Sequence, residues 1–295
     1  MRPILLVGGS GMLGSTLSPL LRASSCVVVH GHLAQADVRA DVTDASQARA
    51  LLDRVRPAAI VNLAGHTNVD TCEREPNQAY RLNVRIVENL VSWMSLQDSP
   101  PVLVHVSTDQ LYDGEGPHLE DDVTLSNTYA LTKYAGELAA LRVPATVLRT
   151  NFFGPSRCAG RSSFTDWLLD GMRGGQALKV FDDLRFSPLS MSTLGRAISA
   201  VIRAPAAGVF NLGAADGMSK ADFAFAFAQA LDLPTASMER TTTDRVDFLK
   251  TYRPKDMRMD STAFEVAFDM RLPLLAQELQ LTCEEYRREP SPARP

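Results

Sequence analysis

Short runs of aliphatic and β-branched residues alternate with amphipathic helical periods over the first half of the chain, and that rhythm limits the fold more than any other feature. The apolar runs are ILLVG (4–8), VVVHG (27–31), AAIVNLAG (58–65), PVLVHVS (101–107) and ATVLRT (145–150). Helices are expected between them, near 12–23, 44–55 and 76–97, and from 127 onward over NTYALTKYAGE. A strand that is apolar along its whole length must be covered on both faces, and the crossover helices of parallel βαβ units supply that cover. The expected fold is therefore α/β, a doubly wound parallel sheet of Rossmann type.

After Arg149 the rhythm breaks. NFFGPSRCAGRSS reads as a loop, followed by a helix near 163–174, a strand at LKVF and a helix over TLGRAISAVIRA (193–204). GVFNLG (208–213) reads as a short strand, and Ser219 as the N-cap of a helix over 219–231. TTTDRVDFLKTYRPKDMRMD has no clear period and is expected to be a loop; a last helix is expected near 273–288 and a frayed tail over 290–295. The expected organisation is a dinucleotide-binding domain over 1–155 with a return segment at 176–204. A smaller α+β C-terminal substrate lobe would be built from 156–175 and 205–289.

With 295 residues, 45% hydrophobic and 22% charged, the chain can bury a sizeable core. Its formal charge of −4 speaks against a broad nucleic-acid footprint, so an anionic ligand must be met by local cations. No apolar run approaches the roughly 20 residues that span a bilayer, and the N-terminus lacks the parts of a signal peptide, so no membrane association and a cytoplasmic location are expected. The four cysteines, Cys26, Cys72, Cys158 and Cys283, are widely scattered and read as reduced packing residues. His30 and His32 have no third ligand near them in sequence, and no metal is expected.

VGGSGMLG lies directly after the first strand and opens the first helix. Glycines there permit a tight turn and close approach of a diphosphate, and a helix N-terminus offers free amides and the positive end of its dipole. Gly8, Gly11, Met12, Leu13 and Gly14 are thus candidate cofactor contacts. At the end of the second strand an NAD site usually carries an acid for the ribose diol, but here His30, Gly31 and His32 stand, with no acid before Asp37. NADPH is therefore the expected cofactor and NADH the alternative, with His32 and Arg39 as candidate phosphate contacts. Asp41 and Val42 are placed to bracket the adenine, while Asp44 reads as a helix N-cap with Gln47 completing a capping box.

Ligands of open α/β sheets bind beyond the carboxyl ends of the strands. Leu63, Ala64, Gly65 and His66 follow the third strand, and Ser107, Thr108 and Asp109 the fourth. In NTYALTKYAGE, Tyr129 and Lys133 lie one helical turn apart. Leu131, Tyr134, Ala135, Leu138 and Leu141 share one stripe of that helix, and Gly136 and Ala140 flank the Tyr–Lys pair on the other, as if something packs closely there.

Together, VGGSGMLG, RPAAIVNLAGHTNVDTCEREPNQAYRLNV, STDQLYDG, NTYALTKYAGE, LRTNFFG and RPKDMRMDS make nearly the whole chain resemble the extended short-chain dehydrogenase/reductase family, in its dTDP-4-dehydrorhamnose reductase branch. The resemblance implies an NADPH-dependent reductase of the 4-keto group of a nucleotide-linked deoxyhexulose. Tyr129 would be the catalytic acid, Lys133 its partner and holder of the nicotinamide ribose, and Thr108 the third member of the triad, with Ser107 and Asp109 beside them. An ammonium close to the phenol would lower its pKa towards neutrality, and Gly136 and Ala140 would leave room for the ribose. Asn151 and Phe152 stand, with Phe153, where the branch faces the sugar and often carries a Trp-type aromatic, and Gln110 stands where it often has an aromatic. The sugar thus stays open. Arg157, Arg161, Arg185, Arg253 and Arg258 are candidate cations for the substrate's diphosphate, with Arg185 and Arg253 taken as substrate contacts. Relatives are commonly dimers, so a homodimer is an expectation of the resemblance alone. The alternatives are a non-catalytic dinucleotide-binding regulatory subunit, as in methionine adenosyltransferase, and a nucleotide-sugar epimerase holding NAD.

Overall fold

Every apolar run of the first half forms a strand of one parallel sheet in the computed structural model, which describes residues 2–288. The chain runs β1 (Ile4–Val7), α1 (Met12–Arg22), β2 (Val27–Val29), α2 (Ala45–Val55) and β3 (Ala59–Asn62). There follow α3 (Val69–Arg74), α4 (Pro76–Tyr80), a π-helical turn (Arg81–Arg85), α5 (Ile86–Met94), β4 (Val102–Val106), α6 (Thr128–Ala140) and β5 (Ala145–Thr150). The expected helix over 76–97 is therefore α4 and α5 joined through the π-turn, and α3 precedes it where no helix was expected.

Beyond β5 come β6 (Phe152–Phe153), α7 (Phe164–Arg173), β7 (Leu178–Phe181), β8 (Arg185–Phe186), β9 (Leu189–Ser190) and α8 (Met191–Arg203). The chain continues through β10 (Gly208–Leu212), β11 (Met218–Ser219), α9 (Lys220–Ala230), β12 (Met238–Thr241), a 3₁₀ turn (Thr243–Arg245), α10 (Thr262–Phe268) and α11 (Leu275–Arg288). Ser219 caps α9 as expected, accepting from Asp222 N–H. Asp44 caps α2 by accepting from Gln47 N–H at 2.9 Å, but the Gln47 side chain turns to Asp41 N–H and no capping box forms. The tail 290–295 lies outside the described residues.

The main sheet has the order β10-β5-β4-β3-β1-β2, all parallel. Its strands alternate inward on both faces. Leu5, Val7, Ile60, Leu103 and Val147 pack with α2 and α5, while Leu6, Val61, Val104 and Leu148 face the side of α1 and α8. That second core continues without a break into α7, α9 and α11, so the two halves of the chain share apolar contacts. One expected boundary moves: Gly208–Leu212, assigned by sequence to the substrate lobe, is the sixth strand of the main sheet, because it pairs in parallel with β5. Conversely LKVF, expected within the return segment, pairs with β12 in a separate two-stranded sheet, and only α8 of that segment packs against α1.

Helix α6 inverts the ordinary amphipathic arrangement. Its leucine stripe faces out, with Leu131 and Leu138 each 52% exposed and Leu141 40%, while Tyr129, Lys133, Gly136 and Ala140 are buried. A Cβ on Gly136 would lie 2.4 Å from Asn83 O, so the close neighbour is the backbone of the π-turn. Gly136 therefore makes room for protein, not for a ribose; Ala140 likewise sits in the α2–α5 core. Among the described residues no helix is long and apolar enough to cross a membrane.

Candidate active site

The carboxyl ends of β1, β3, β4 and β5 open into one cavity of about 620 Å³, within the range usual for small-molecule sites. At one end is the glycine loop. Gly8 has φ +74°, a region open to glycine, and its Cα faces Ala64 so closely that a Cβ would lie 2.7 Å from Ala64 N. The N-cap of α1 is Gly11, which has no side chain to cap with, and no acidic residue occupies the first turn. The amides at the start of α1 are thus left for an anion from outside the helix, and the diphosphate of a dinucleotide fits that cradle.

The strand-end histidine has a different task from ribose binding. His30 Nδ1 accepts from Gly8 N–H at 3.3 Å and its Nε2 meets Ala40 O at 2.9 Å, which fixes the Nε2–H tautomer. Burial, chiefly, lowers its pKa and keeps it neutral. Both nitrogens are therefore committed to joining the glycine loop to the 40–43 loop. Asp37 is also spoken for, by Arg22 at 2.6 Å and Val29 N–H at 2.8 Å.

At the other end lie Tyr129, Lys133 and Thr108, each only 5% exposed, and Asp109, 1% exposed. Asn127 caps α6 by accepting from Ala130 N–H at 2.9 Å, which sets the helix start at Thr128, one residue before Tyr129. Lys133 Nζ donates to Val106 O, the last residue of β4, at 2.8 Å. Burial brings its pKa down to about 8, opposed by the carboxylate of Glu137. The expectation that Lys133 lowers the Tyr129 pKa is not met in this structure. Burial raises it well above the usual phenol value, the Thr108 hydroxyl offsets this in part, and the nearby Asp109 and Cys72 add to it. The ammonium is engaged with Val106 O, and the phenol sits in an apolar setting with Val69, Cys72 and Ala79. Tyr129 is thus a fully protonated phenol at neutral pH. Asp109, buried beside it, is pushed up to about 6, with Asn151 Nδ2 donating to it at 2.7 Å.

Of the residues expected in the site, Gly8, Gly11, Met12, Leu13, Gly14, His32, Asp41, Val42, Leu63, Ala64, Gly65 and Ser107 line this cavity, as do His66, Thr108, Asp109, Tyr129, Lys133, Asn151 and Phe152. Arg39, Arg185 and Arg253 do not. Arg39 and Arg185 are exposed, Arg185 on β8. Arg253 binds Asp70 of α3 through NH2 at 2.8 Å and NH1 at 3.3 Å, so it ties the second lobe to the first. Arg258 is held by Asp256 and Gly116 O, whereas Arg161 does line the cavity.

Sequence reading missed several supports of the site. Asn83, in the π-turn, accepts from His66 N–H at 2.6 Å and donates to Thr132 Oγ1 at 3.0 Å, joining the loop after β3 to α6. Lys220 leads α9 with its ammonium 5.6 Å from the centre of the cavity-lining Phe164 ring and attracted by Asp109. Nothing local marks either: Asn83 sits in an unbroken helical period, and Lys220 looks like any first-turn residue.

A glycine cradle, neighbouring strand ends and a buried Tyr–Lys pair in one cavity define a dinucleotide-binding α/β protein equipped to move a proton at a carbonyl. A family model described as the RmlD substrate binding domain matches residues 1–288, and the chain belongs to that family. It is 33% identical to a dTDP-4-dehydrorhamnose reductase of Streptomyces griseus, covering 71% of this chain and 68% of that one. A probable dTDP-4,6-dihydroxy-2-methyloxan-3-one 4-ketoreductase of Streptomyces antibioticus is 33% identical over 81% of this chain and 80% of its own. Among solved structures, a hypothetical dTDP-4-dehydrorhamnose reductase from Sulfolobus tokodaii superposes with a TM-score of 0.82 at 28% identity, covering 92% of this chain and 97% of that one. The Bacillus anthracis dTDP-4-dehydrorhamnose reductase in complex with NADP shares the fold, with a TM-score of 0.86 at 21% identity over 97% of this chain and all of the other.

Proposed function

We propose that the chain is an NADPH-dependent reductase of the 4-keto group of a nucleotide-linked deoxyhexulose, of dTDP-4-dehydrorhamnose reductase type, serving deoxysugar or polysaccharide biosynthesis in the cytoplasm. The observation that carries this reading is the buried Tyr129–Lys133 pair in the same cavity as the uncapped start of α1. Gly8, Gly11, Met12, Leu13 and Gly14 would hold the cofactor's diphosphate and Asp41 and Val42 its adenine, and Asp37, the first acid after β2, is engaged by Arg22 and Val29 N–H. When bound, NADPH supplies the hydride for the carbonyl carbon.

The rest is the work of this chain's side chains. As negative charge grows on the ketone oxygen, Tyr129 gives up its phenolic proton to it and Thr108 donates a hydrogen bond. A phenol with a raised pKa is a fully loaded donor but leaves a costly anion. Lys133, which lines the same cavity, would hold the ribose hydroxyls and would supply the cation that stabilises the phenolate left behind. His66, Asp109, Asn151 and Phe152 would meet the sugar. A homodimer belongs to the same proposal, and light scattering would read it as twice the chain mass.

Replacing Tyr129 with Phe should cut turnover of a nucleotide 4-keto sugar by at least about a thousandfold while NADPH binding stays within about threefold of wild type. Unchanged turnover would remove Tyr129 from the reaction. Assaying NADPH loss across a panel of nucleotide 4-keto sugars separates the alternatives: an epimerase consumes no net cofactor, and a regulatory subunit binds NADPH without oxidising it.

A further inference from the structure

Glu137 lies one turn beyond Lys133 on the buried face of α6 and is only 1% exposed. Arg149 of β5 meets it with Nε 3.1 Å from each carboxylate oxygen and NH2 2.7 Å from Oε2. The Ser107 hydroxyl donates to the same carboxylate. Lys133, meanwhile, donates to Val106 O at 2.8 Å. Two consecutive residues at the end of β4 are thus held by two side chains one turn apart on α6, and the next residue along that strand end is Thr108.

The far side of the ion pair is equally anchored. Arg149 NH1 donates to Tyr112 OH at 2.8 Å, and Tyr112 OH donates to Asn211 Oδ1 of β10 at 2.6 Å. The Asn211 amide in turn reaches His118 O at 3.0 Å and Asp260 O at 3.1 Å. Glu137 is therefore backed by β5 and, through Tyr112, by β10, and has little freedom to move. A buried ion pair of this kind is a poor source of stability, since desolvation offsets most of its attraction, but it fixes geometry and local charge.

We propose that Glu137 is a positioning residue of the reduction: its carboxylate locks the strand end bearing Ser107 and Thr108 onto the helix bearing Tyr129 and Lys133. This role rests on reading Tyr129 as the proton donor and Lys133 as the cation of the site. A second consequence follows from charge. The titratable groups that interact with Lys133 are Glu137 on α6 and His105 on β4; Tyr129, Asp109 and His66 line the same cavity, and the charge of Arg149 on β5 is already partnered by Glu137. His105 is held neutral by burial and by Lys133 itself. Glu137 is the carboxylate that favours the charged form of Lys133, whose pKa burial has already brought to about 8.

The test uses E137Q, the double variant E137Q/R149M, which leaves no unpaired buried guanidinium, and S107A, which keeps the ion pair and cuts only its grip on the strand end. NADPH affinity and kcat are measured against pH. With E137Q the alkaline limb of NADPH affinity should move about one pH unit or more lower. With E137Q/R149M, which removes both charges of the pair, it should move less, and with either variant kcat should fall at least about tenfold with KM for the keto sugar within about threefold. S107A should lower kcat without moving the limb. A folded E137Q with the wild-type pH profile, a folded double variant with wild-type kcat, or S107A with wild-type kcat overturns the proposal. If the protein binds NADPH but reduces no keto sugar, the reductase reading fails by itself, and the pH dependence of NADPH binding still decides the charge role of Glu137.

Discussion

Asp109 is a carboxylate in the wrong place for stability. Burial holds its pKa up at about 6, two units above an ordinary aspartate, despite the Asn151 amide and the Lys220 and Thr108 side chains that favour its ionised form. A group whose folded pKa is raised stabilises the fold below its unfolded value of 3.8, and that contribution is lost as pH rises through about 6. Asp109→Asn should therefore stabilise the fold by about 1–3 kcal/mol at pH 8 and by little at pH 4. Denaturant titrations of both proteins at the two pH values check this; equal stability at pH 8 would show that the carboxylate is better solvated than its burial implies. Retention of such a residue beside Tyr129 and Asn151 fits a part in substrate binding, where a costly group is kept for what it contacts. The signal was half legible in sequence: the STD triplet marked the position, but three residues cannot report that Asp109 is buried, with the Asn151 amide and the Lys220 ammonium acting on it.

Among the elements, α6 and the π-turn depend on each other. Gly136 allows Asn83 O to approach within 2.4 Å of where a Cβ would stand, and the Asn83 side chain then bridges His66 and Thr132. Gly136→Ala must push the π-turn away or rotate α6, and overpacking of this kind costs about 1–3 kcal/mol. The midpoint of chemical unfolding should fall accordingly, and kcat with it, since any rotation of α6 moves Tyr129. A variant as stable as wild type would mean the turn shifts freely. The sequence did show that Gly136 and Ala140 flank the Tyr–Lys pair too closely for open surface. It could not show what fills the space, because a π-turn is a property of the packed pair of helices and not of the RLNVR segment alone.

Across the whole molecule, the Asp70–Arg253 pair joins α3 to the irregular segment before β-bridged Asp256. Asp70 also accepts from Thr251 N–H at 2.9 Å, and the Arg253 guanidinium beside it holds its pKa down at about 2. The stability this pair lends is present above the ordinary carboxylate range and lost only as pH falls from 3.8 towards 2, so the tie is constant throughout working pH. Asp70→Asn should loosen the seating of the second lobe, raising KM for the nucleotide sugar about three- to tenfold, equally at pH 6 and pH 9, while leaving NADPH affinity unchanged. An unchanged KM would mean that the shared core of α7, α9 and α11 alone holds the lobes.

The sequence by itself determined what is local or periodic. Uniformly apolar strands required a sheet covered on both faces, the glycines after β1 required a backbone turn that an anion can approach, and one helical turn between Tyr129 and Lys133 required that they share a face. Only tertiary structure decided which face of α6 is buried, that Gly208–Leu212 closes the main sheet, and that Arg253 serves Asp70 while Arg185 lies outside the cavity. It also decided that the Tyr129 pKa moves up and not down. A pKa depends on how completely water is excluded and on which charges converge from distant strands. Periodicity along one strand or helix carries no record of either.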